Sequence, residues 1–494
     1  MSQLNAQTLD QLDAGVAVPA YALAERRVGI VHFGVGGFHR AHQALYLDRL
    51  MDAGRDADWA ICGVGLMPHD AAMRDALAVQ DHLYTLIEKA PDGSRQARVV
   101  GSIARYLFAP DDPEAVLAQL VDPNVRIVSL TVTEGGYNYN QSTGEFNAAN
   151  PAVAADLLPD AVPTTTFGFV VEALRRRRDA GTAPFTVMSC DNIQGNGHLA
   201  ARVFTAFADL KDAELAAWIR ANVAFPSSMV DRITPVTTDA DREMVAAEYG
   251  IEDRWPVVCE DFLQWVLEDN FPSGRPAWEE AGVQMVDDVE PYELMKLRLL
   301  NASHQAMAYL GYLAGYRYAH EVCSDPDFVG FLTAYMDREA TPTLRPVPGI
   351  DLAAYKRQLI ERFANEQVKD TLARLCAESS DRIPTWLVPV IRQNLDDGGA
   401  VRLSAAIVAA WARYAEGTDE QGRPIEVVDR LRERVMAAAA RQGGDPLAFV
   451  RDRDLFGDLA ERPGFTQPYT EALDVLHADG AAALVARLRE AGWS

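Results

Sequence analysis

Apolar residues recur in two rhythms along this chain, and the change of rhythm divides it. Up to about residue 270, short β-branched runs alternate with stretches of helical periodicity. Val28–Phe33, Trp59–Val64, Ile127–Val132 and Phe185–Cys190, bounded by Gly, Pro, Asp or Asn, predict strands. Asp70–Val79, Pro113–Val121 and Thr166–Arg178 predict helices between them. Such alternation predicts an α/β domain with a parallel sheet covered on both faces. From about Pro291 strand signals nearly vanish. Glu293–Leu313, Leu352–Glu366, Thr371–Leu375, Ala400–Tyr414, Val427–Arg441 and Thr470–Ala491 read as helices, the last with Thr470 as its N-cap. The expected fold is an α/β domain over 1–287, then a mostly α-helical domain over 288–494.

Composition narrows the function. A hydrophobic content of 49% over 494 residues suffices for two large cores. The net charge of −25 disfavours a nucleic-acid partner. Charge or Gly breaks every apolar run, so no membrane span is expected. The stretch Met1–Val18 carries Asp10 and Asp13 and no basic residue, unlike a secretory or transit peptide. The five cysteines are scattered, without CxxC or a nearby His pair. They read as buried thiols of a cytoplasmic protein and give no zinc signature, so no metal is expected. The run Arg175–Arg178 reads as a solvated helix end complementing the dipole.

The first strand runs into Phe33-Gly34-Val-Gly36-Gly37-Phe38-His39-Arg40. Glycines after the first strand of an α/β pattern let a pyrophosphate approach the amides of the next helix. Gly34 and Gly36 supply two glycines of GxGxxG, His39 takes the third place, and Arg40 is a further candidate for phosphate. An ordinary tight turn is the alternative. Asp70, after the second strand, is a candidate to accept hydrogen bonds from ribose hydroxyls and so to select NAD over NADP. It lies further from Gly34 than the usual spacing of about 20 residues, and a helix-start carboxylate is the competing reading.

The most informative stretch is Pro291-Tyr-Glu-Leu-Met-Lys296-Leu-Arg-Leu-Leu-Asn301-Ala-Ser-His304. On an α-helical wheel His304 lies about 80° and Asn301 about 140° from Lys296, with Leu297 and Leu300 inside the same arc. A surface helix would not carry leucines there, so the three polar groups are expected to face an internal cleft. A desolvated lysine loses its preference for the charged form and suits a general base near neutral pH. A buried structural Lys–carboxylate pair fits the same spacing. Asn192 follows the strand ending at Cys190; with Asn301 it would form a two-donor oxyanion site, or simply a turn. Glu134, in Thr131-Val-Thr133-Glu134-Gly-Gly-Tyr137, reads as a proton relay or an exposed loop carboxylate. Asp231, in a compact loop between Pro226 and Pro235, is a candidate for substrate hydroxyls or a turn residue.

Together these segments resemble the polyol-specific long-chain dehydrogenases over nearly the whole chain. The resemblance rests on Lys296…Asn301…His304, Gly34-Val-Gly-Gly-Phe-His-Arg40-Ala-His42, Thr131–Tyr137, Ser189-Cys-Asp-Asn192 and Val230-Asp-Arg-Ile-Thr-Pro235. It implies a Rossmann-like dinucleotide-binding first domain and a substrate and catalytic second domain. It also implies zinc-independent hydride transfer with NAD, held against Phe33, Gly34, Gly36, Gly37, Phe38, Arg40, Asp70 and Thr131. Lys296 would be the acid/base, Asn192 and Asn301 the oxyanion donors, His304 a partner of substrate hydroxyls and Glu134 a gate or proton conduit. Asp231, Arg374 and Arg382 would contact substrate. The implied active site lies in the cleft between the domains. The expected pair is D-mannitol and D-fructose, then D-arabinitol and D-xylulose, then a uronate as in fructuronate or tagaturonate reductases. A nucleotide-binding sensor without catalysis is the rival from another class, and a monomer is the expected state.

Overall fold

The computed structural model describes residues 2–139 and 145–493. The chain divides into two compact units, Met1–Glu290 and Pro291–Ser494.

The first unit is built on five parallel strands: β1 (Val28–Phe33), β2 (Ala60–Gly65), β3 (Ile103–Phe108), β4 (Ile127–Leu130) and β5 (Thr186–Ser189). Their order is β3-β2-β1-β4-β5. The order reverses between β1 and β4, and open α/β sheets bind ligands beyond the carboxyl ends of the strands at such a point. Alternating side chains serve two cores. Val31, Phe33, Val64, Val128 and Leu130 pack with Phe167, Phe169 and Leu174. Ile30, Ile61, Ile127 and Met188 pack with Leu45, Tyr84, Trp265 and Trp278 on the other face.

The flanking helices are α1 (Gly37–Ala41), α2 (Gln43–Asp52), α3 (Ala71–Ala78), α4 (Pro113–Val121), α5 (Thr133–Gly136), α6 (Thr166–Asp179) and α7 (Asn196–Lys211). Local chemistry sets their starts. Asp112 accepts from Ala115 N at 2.9 Å ahead of Pro113, and Thr165 accepts from Gly168 N at 3.1 Å ahead of α6.

Two parts of the sequence expectation change. The hairpin of Tyr84–Lys89 and Arg95–Val100 joins Val257–Glu260 and Val16–Ala17 in a mixed sheet. The segment expected as a compact loop around Asp231 contains the strand Ser228–Asp231, paired antiparallel with Gln264–Glu268. The arginine run is not uniformly solvated either. Arg177 is 2% exposed and donates to the carbonyls of Leu120, Asp122, Val125 and Ala183 at 2.5–2.9 Å. Three of its four acceptors lie more than fifty residues away, at and after the end of α4, which periodicity does not register.

The second unit contains no strand among the described residues. Helix α8 (Glu290–Met295) runs through a π-helical turn, Lys296–Asn301, into α9 (Ala302–Leu313). Further helices are α10 (Leu352–Phe363), α11 (Leu372–Cys376), α12 (Ser379–Trp386), α13 (Arg402–Tyr414), α14 (Pro463–Ala478) and α15 (Ala481–Glu490). Helix α9 packs on α11 and α13, and α13 on α14. Being wrapped by neighbours, α9 is apolar nearly all round. Thr470 is no N-cap: α14 starts at Pro463, and the Thr470 hydroxyl donates to Thr466 O at 2.9 Å inside the helix. Within 427–441 the helix covers only Arg432–Ala439.

All five cysteines are buried. Among the described residues no helix is long and apolar enough to cross a membrane, and no His, Cys, Asp and Glu side chains cluster as metal ligands.

Candidate active site

At the carboxyl end of β1 the chain turns at Gly34 with φ +91°, a conformation glycine alone adopts readily. A Cβ there would lie 2.1 Å from the Thr131 carbonyl oxygen, so the end of β4 presses directly on the turn. The Thr131 hydroxyl donates to Gly34 O at 2.6 Å and meets His32 Nε2 at 2.9 Å. His32 Nδ1 lies 2.8 Å from Ser129 Oγ, and the His39 ring stacks on the His32 ring at 3.4 Å. Burial holds His32 down to about 3, so the ring is neutral. Thr131 thus shapes the glycine turn. Gly36 is exposed, and a Cβ on it would have no neighbour closer than 3.9 Å, leaving open space over the turn.

Gly34, Gly36, Gly37 and Phe38 all present some surface. Two other expected cofactor residues do not present their side chains. Phe33 is fully buried and its ring packs against Phe169 in the core. Arg40 is also fully buried. Its guanidinium donates to Trp255 O at 2.5 Å and stacks on Tyr84 at 5.1 Å, and burial lowers it to about 10. Arg40 therefore welds the turn's helix to the body of the unit and offers no surface to a phosphate.

Asp70 follows β2, and its Oδ2 accepts from the Leu66 and Met67 amides at 2.9 and 2.8 Å. Its side chain keeps 25% exposure. It therefore closes the turn after β2 and still presents surface at the strand end.

Beyond β4, Glu134 is exposed on the short helix α5. The turn before it is strained, with Thr133 at φ +61°. Asp191, after β5, accepts from Thr133 N at 2.8 Å, Val132 N at 3.1 Å and Tyr137 OH at 2.7 Å. Burial pushes its carboxyl up to about 6, against these donors, which favour the charged form. Asn192 is exposed beside it. Asn196 pins the Asp191 carbonyl at 2.9 Å and Ser228 O at 2.8 Å. Asp231 ends its strand at 4% exposure.

In the second unit Lys296, Asn301 and His304 are buried to 7%, 6% and 7% exposure. The stretch between the first two is π-helical, not α-helical as the wheel assumed, and Ala302 N donates to Leu297 O five residues back. Residues five apart then lie over one another, which draws Asn301 toward the face of Lys296. Asn301 Oδ1 and His304 Nε2 are buried without a hydrogen-bond partner among the described residues. A buried polar atom in that state calls for a partner such as a ligand or an ordered water. Burial lowers His304 well below its ordinary value, and the charges of Arg374, Arg362, Arg382 and Lys296 add to this. The ring is a neutral hydrogen-bonding group against Phe363 at 4.6 Å.

Arg374 pairs with Asp370 at 2.6 Å, and Arg382 donates to Leu375 O at 2.9 Å and lies over the Trp386 ring. Arg362, 5% exposed, was missed by the sequence reading. Its signal was position: it follows Leu359 by one helical turn, on the buried stripe of Tyr355, Leu359 and Phe363.

Comparison with known proteins agrees with both units. Residues 28–280 match the mannitol dehydrogenase Rossmann domain, and 288–477 the mannitol dehydrogenase C-terminal domain. A mannitol 2-dehydrogenase of Aspergillus fumigatus is 47% identical over 489 residues, 97% of each chain. The ternary complex of Pseudomonas fluorescens mannitol 2-dehydrogenase with NAD and D-mannitol superposes with a TM-score of 0.91 at 47% identity, covering 99% of this chain and 100% of that one. A D-sorbitol dehydrogenase gives 0.88 at 39% identity, covering 98% and 100%. With a glycine turn at the sheet's switch point, a lysine on a π-helical turn and full-length relatives, this chain belongs to the mannitol dehydrogenase family.

Proposed function

We propose that this protein catalyses the NAD-dependent oxidation of D-mannitol to D-fructose, with Lys296 as the general acid/base. The observation that carries the reading is the π-helical turn that sets buried Lys296 and Asn301 on a common face, beside neutral His304. The relatives support the substrate class, since the Pseudomonas fluorescens enzyme was solved with NAD and D-mannitol.

The first unit fits a dinucleotide: open space above Gly36, amides at the start of α1 and the Asp70 carboxylate beyond β2 suit a pyrophosphate and a ribose. When bound, NAD supplies the hydride acceptor. Lys296 Nζ takes the hydroxyl proton as the alcohol is oxidised. The Asn301 amide donates to the same oxygen as it gains negative charge; such a donor is worth about 3 kcal/mol when fixed in place. In the first unit we assign Asn192 the role of an oxyanion donor and Glu134 that of a proton conduit. His304 Nε2, neutral and otherwise unused, holds a neighbouring substrate hydroxyl and so fixes which carbon reacts. In ketose reduction Lys296 returns the proton.

A second reading draws on the cations beside His304. Arg362, Arg374 and Arg382 suit a terminal carboxylate, as in a keto-uronate. A panel of D-mannitol, D-arabinitol, D-sorbitol and keto-uronates, read by NADH absorbance, tests both. The primary reading requires D-mannitol to give the highest kcat/KM. A keto-uronate in first place selects the second, D-arabinitol in first place shifts the substrate, and NAD binding with no turnover selects a sensor.

A further inference from the structure

The loops after β4 and β5 are bound to each other by one side chain that the mechanism leaves unused. Strands β4 and β5 run in register to Leu130 and Ser189, and Cys190 N continues the ladder to Leu130 O at 2.8 Å. There the two chains leave the sheet. Val132, at φ −104° and ψ 2°, and Thr133, at φ +61°, form successive right- and left-handed turns. Two such residues point their amides into one concavity that binds an anion. The anion here is the carboxylate of Asp191, with Oδ1 on Thr133 N and Oδ2 on Val132 N. Tyr137 OH, at the far end of α5, donates to the same Oδ2 and lies 2.5 Å from Ser189 Oγ. The main chain of Asp191 is held separately, by Asn196, which also bonds to both the N–H and the carbonyl of Ser228.

We propose that Asp191 is a positioning residue: its carboxylate fills the Val132–Thr133 amide nest and so locks the turn that carries Glu134 to the strand end that carries Asn192. The inference rests on the roles assigned above to Glu134 and Asn192. A carboxylate suits the site because Val132 N–H, Thr133 N–H and Tyr137 O–H all donate to it and its lone pairs meet all three. A carboxamide there would bring donors of its own against them. The clamp also accounts for Thr133, a β-branched residue in a backbone region that such residues avoid.

The test uses the full-length enzyme with NAD and D-mannitol. Asp191→Asn keeps the shape but only one acceptor. It is expected to lower kcat by about tenfold to a hundredfold, as for a displaced catalytic group, with NAD affinity within about twofold. Thr133→Gly, added to Asp191→Asn, reaches the positive φ without restraint and is expected to return kcat to within about threefold of wild type. Amide exchange at Val132 and Thr133 is expected to quicken in Asp191→Asn and not at β1. Unchanged kcat in Asp191→Asn, or a loss that Thr133→Gly does not relieve, overturns the proposal. Faster exchange at those two amides in a protein without polyol turnover would support the clamp and overturn the functional reading instead.

Discussion

Lys296 and Asn301 stand at the two ends of a single π-helical turn, so residues that an α-helix would splay by about 140° share a face. Such a turn weakens the helix locally, and wide turns of this kind are frequent at functional sites.

The two residues should therefore fail in related ways. Lys296→Ala is expected to lower kcat by about 10³-fold or more and Asn301→Ala by about 10²- to 10³-fold, each with NAD affinity nearly unchanged. Steady-state kinetics with D-mannitol, beside fluorescence titration of NADH, separates the effects. Near-wild-type turnover in Lys296→Ala would remove it from the mechanism.

The glycine turn separates folding from binding. Gly34→Ala drives a Cβ into Thr131 O and forces a positive φ on alanine, so a fall in Tm of several degrees is expected. Gly36→Ala meets no protein atom within 3.9 Å. It should leave Tm within about a degree and, if the proposed function is right, weaken NAD binding about tenfold or more, because that reading gives the space it fills to the dinucleotide. Thermal melts with NAD titrations read both, and a Gly36→Ala chain binding NAD normally would place the cofactor elsewhere.

Asp70 closes the turn after β2, and the proposed function gives it a second duty at the ribose. Asp70→Asn retains an acceptor for the Leu66 and Met67 amides and loses the charge that repels a 2′-phosphate. The ratio of kcat/KM for NAD over NADP is expected to fall about tenfold without a matching loss of Tm. An unchanged ratio would leave Asp70 as a turn-closing residue only.

Histidine burial sets a pH dependence of stability. His32 is lowered to about 3 in the folded chain against about 6.5 unfolded. Its folded pKa is depressed, so unfolding takes up a proton below about 6.5. The stability this neutrality contributes is full above that value and is lost progressively toward pH 3. Between pH 6 and pH 5 the wild type should lose about 1 kcal/mol more unfolding free energy than His32→Asn. Parallel slopes in denaturant titrations at the two pH values would contradict this.

The strands and the glycine turn were legible because β-branched runs and Gly placement are local signals, and Pro113 and Thr165 mark helix starts to the residue. Lys296, Asn301 and His304 were legible as polar groups on an apolar helix. Their true relation was not, since a wheel assumes one rise and one angle throughout and cannot register a π turn. Arg40 and Arg177 look like surface cations in sequence. Carbonyl partners draw them inside, Trp255 for one and Leu120, Asp122, Val125 and Ala183 for the other, and most of these are distant in sequence. Asp191 was equally hidden: its motif was visible, but its partners come from the neighbouring strand's loop.

The buried thiols bear on how the protein can be handled and watched. Burial raises the pKa of all five, and a protonated, enclosed sulfur reacts slowly with oxidants and alkylating agents. Activity should therefore survive air without added reductant. Because Cys62, Cys190 and Cys259 lie in one unit and Cys323 and Cys376 in the other, mass-resolved labelling would time the opening of each half of the chain by native chemistry alone.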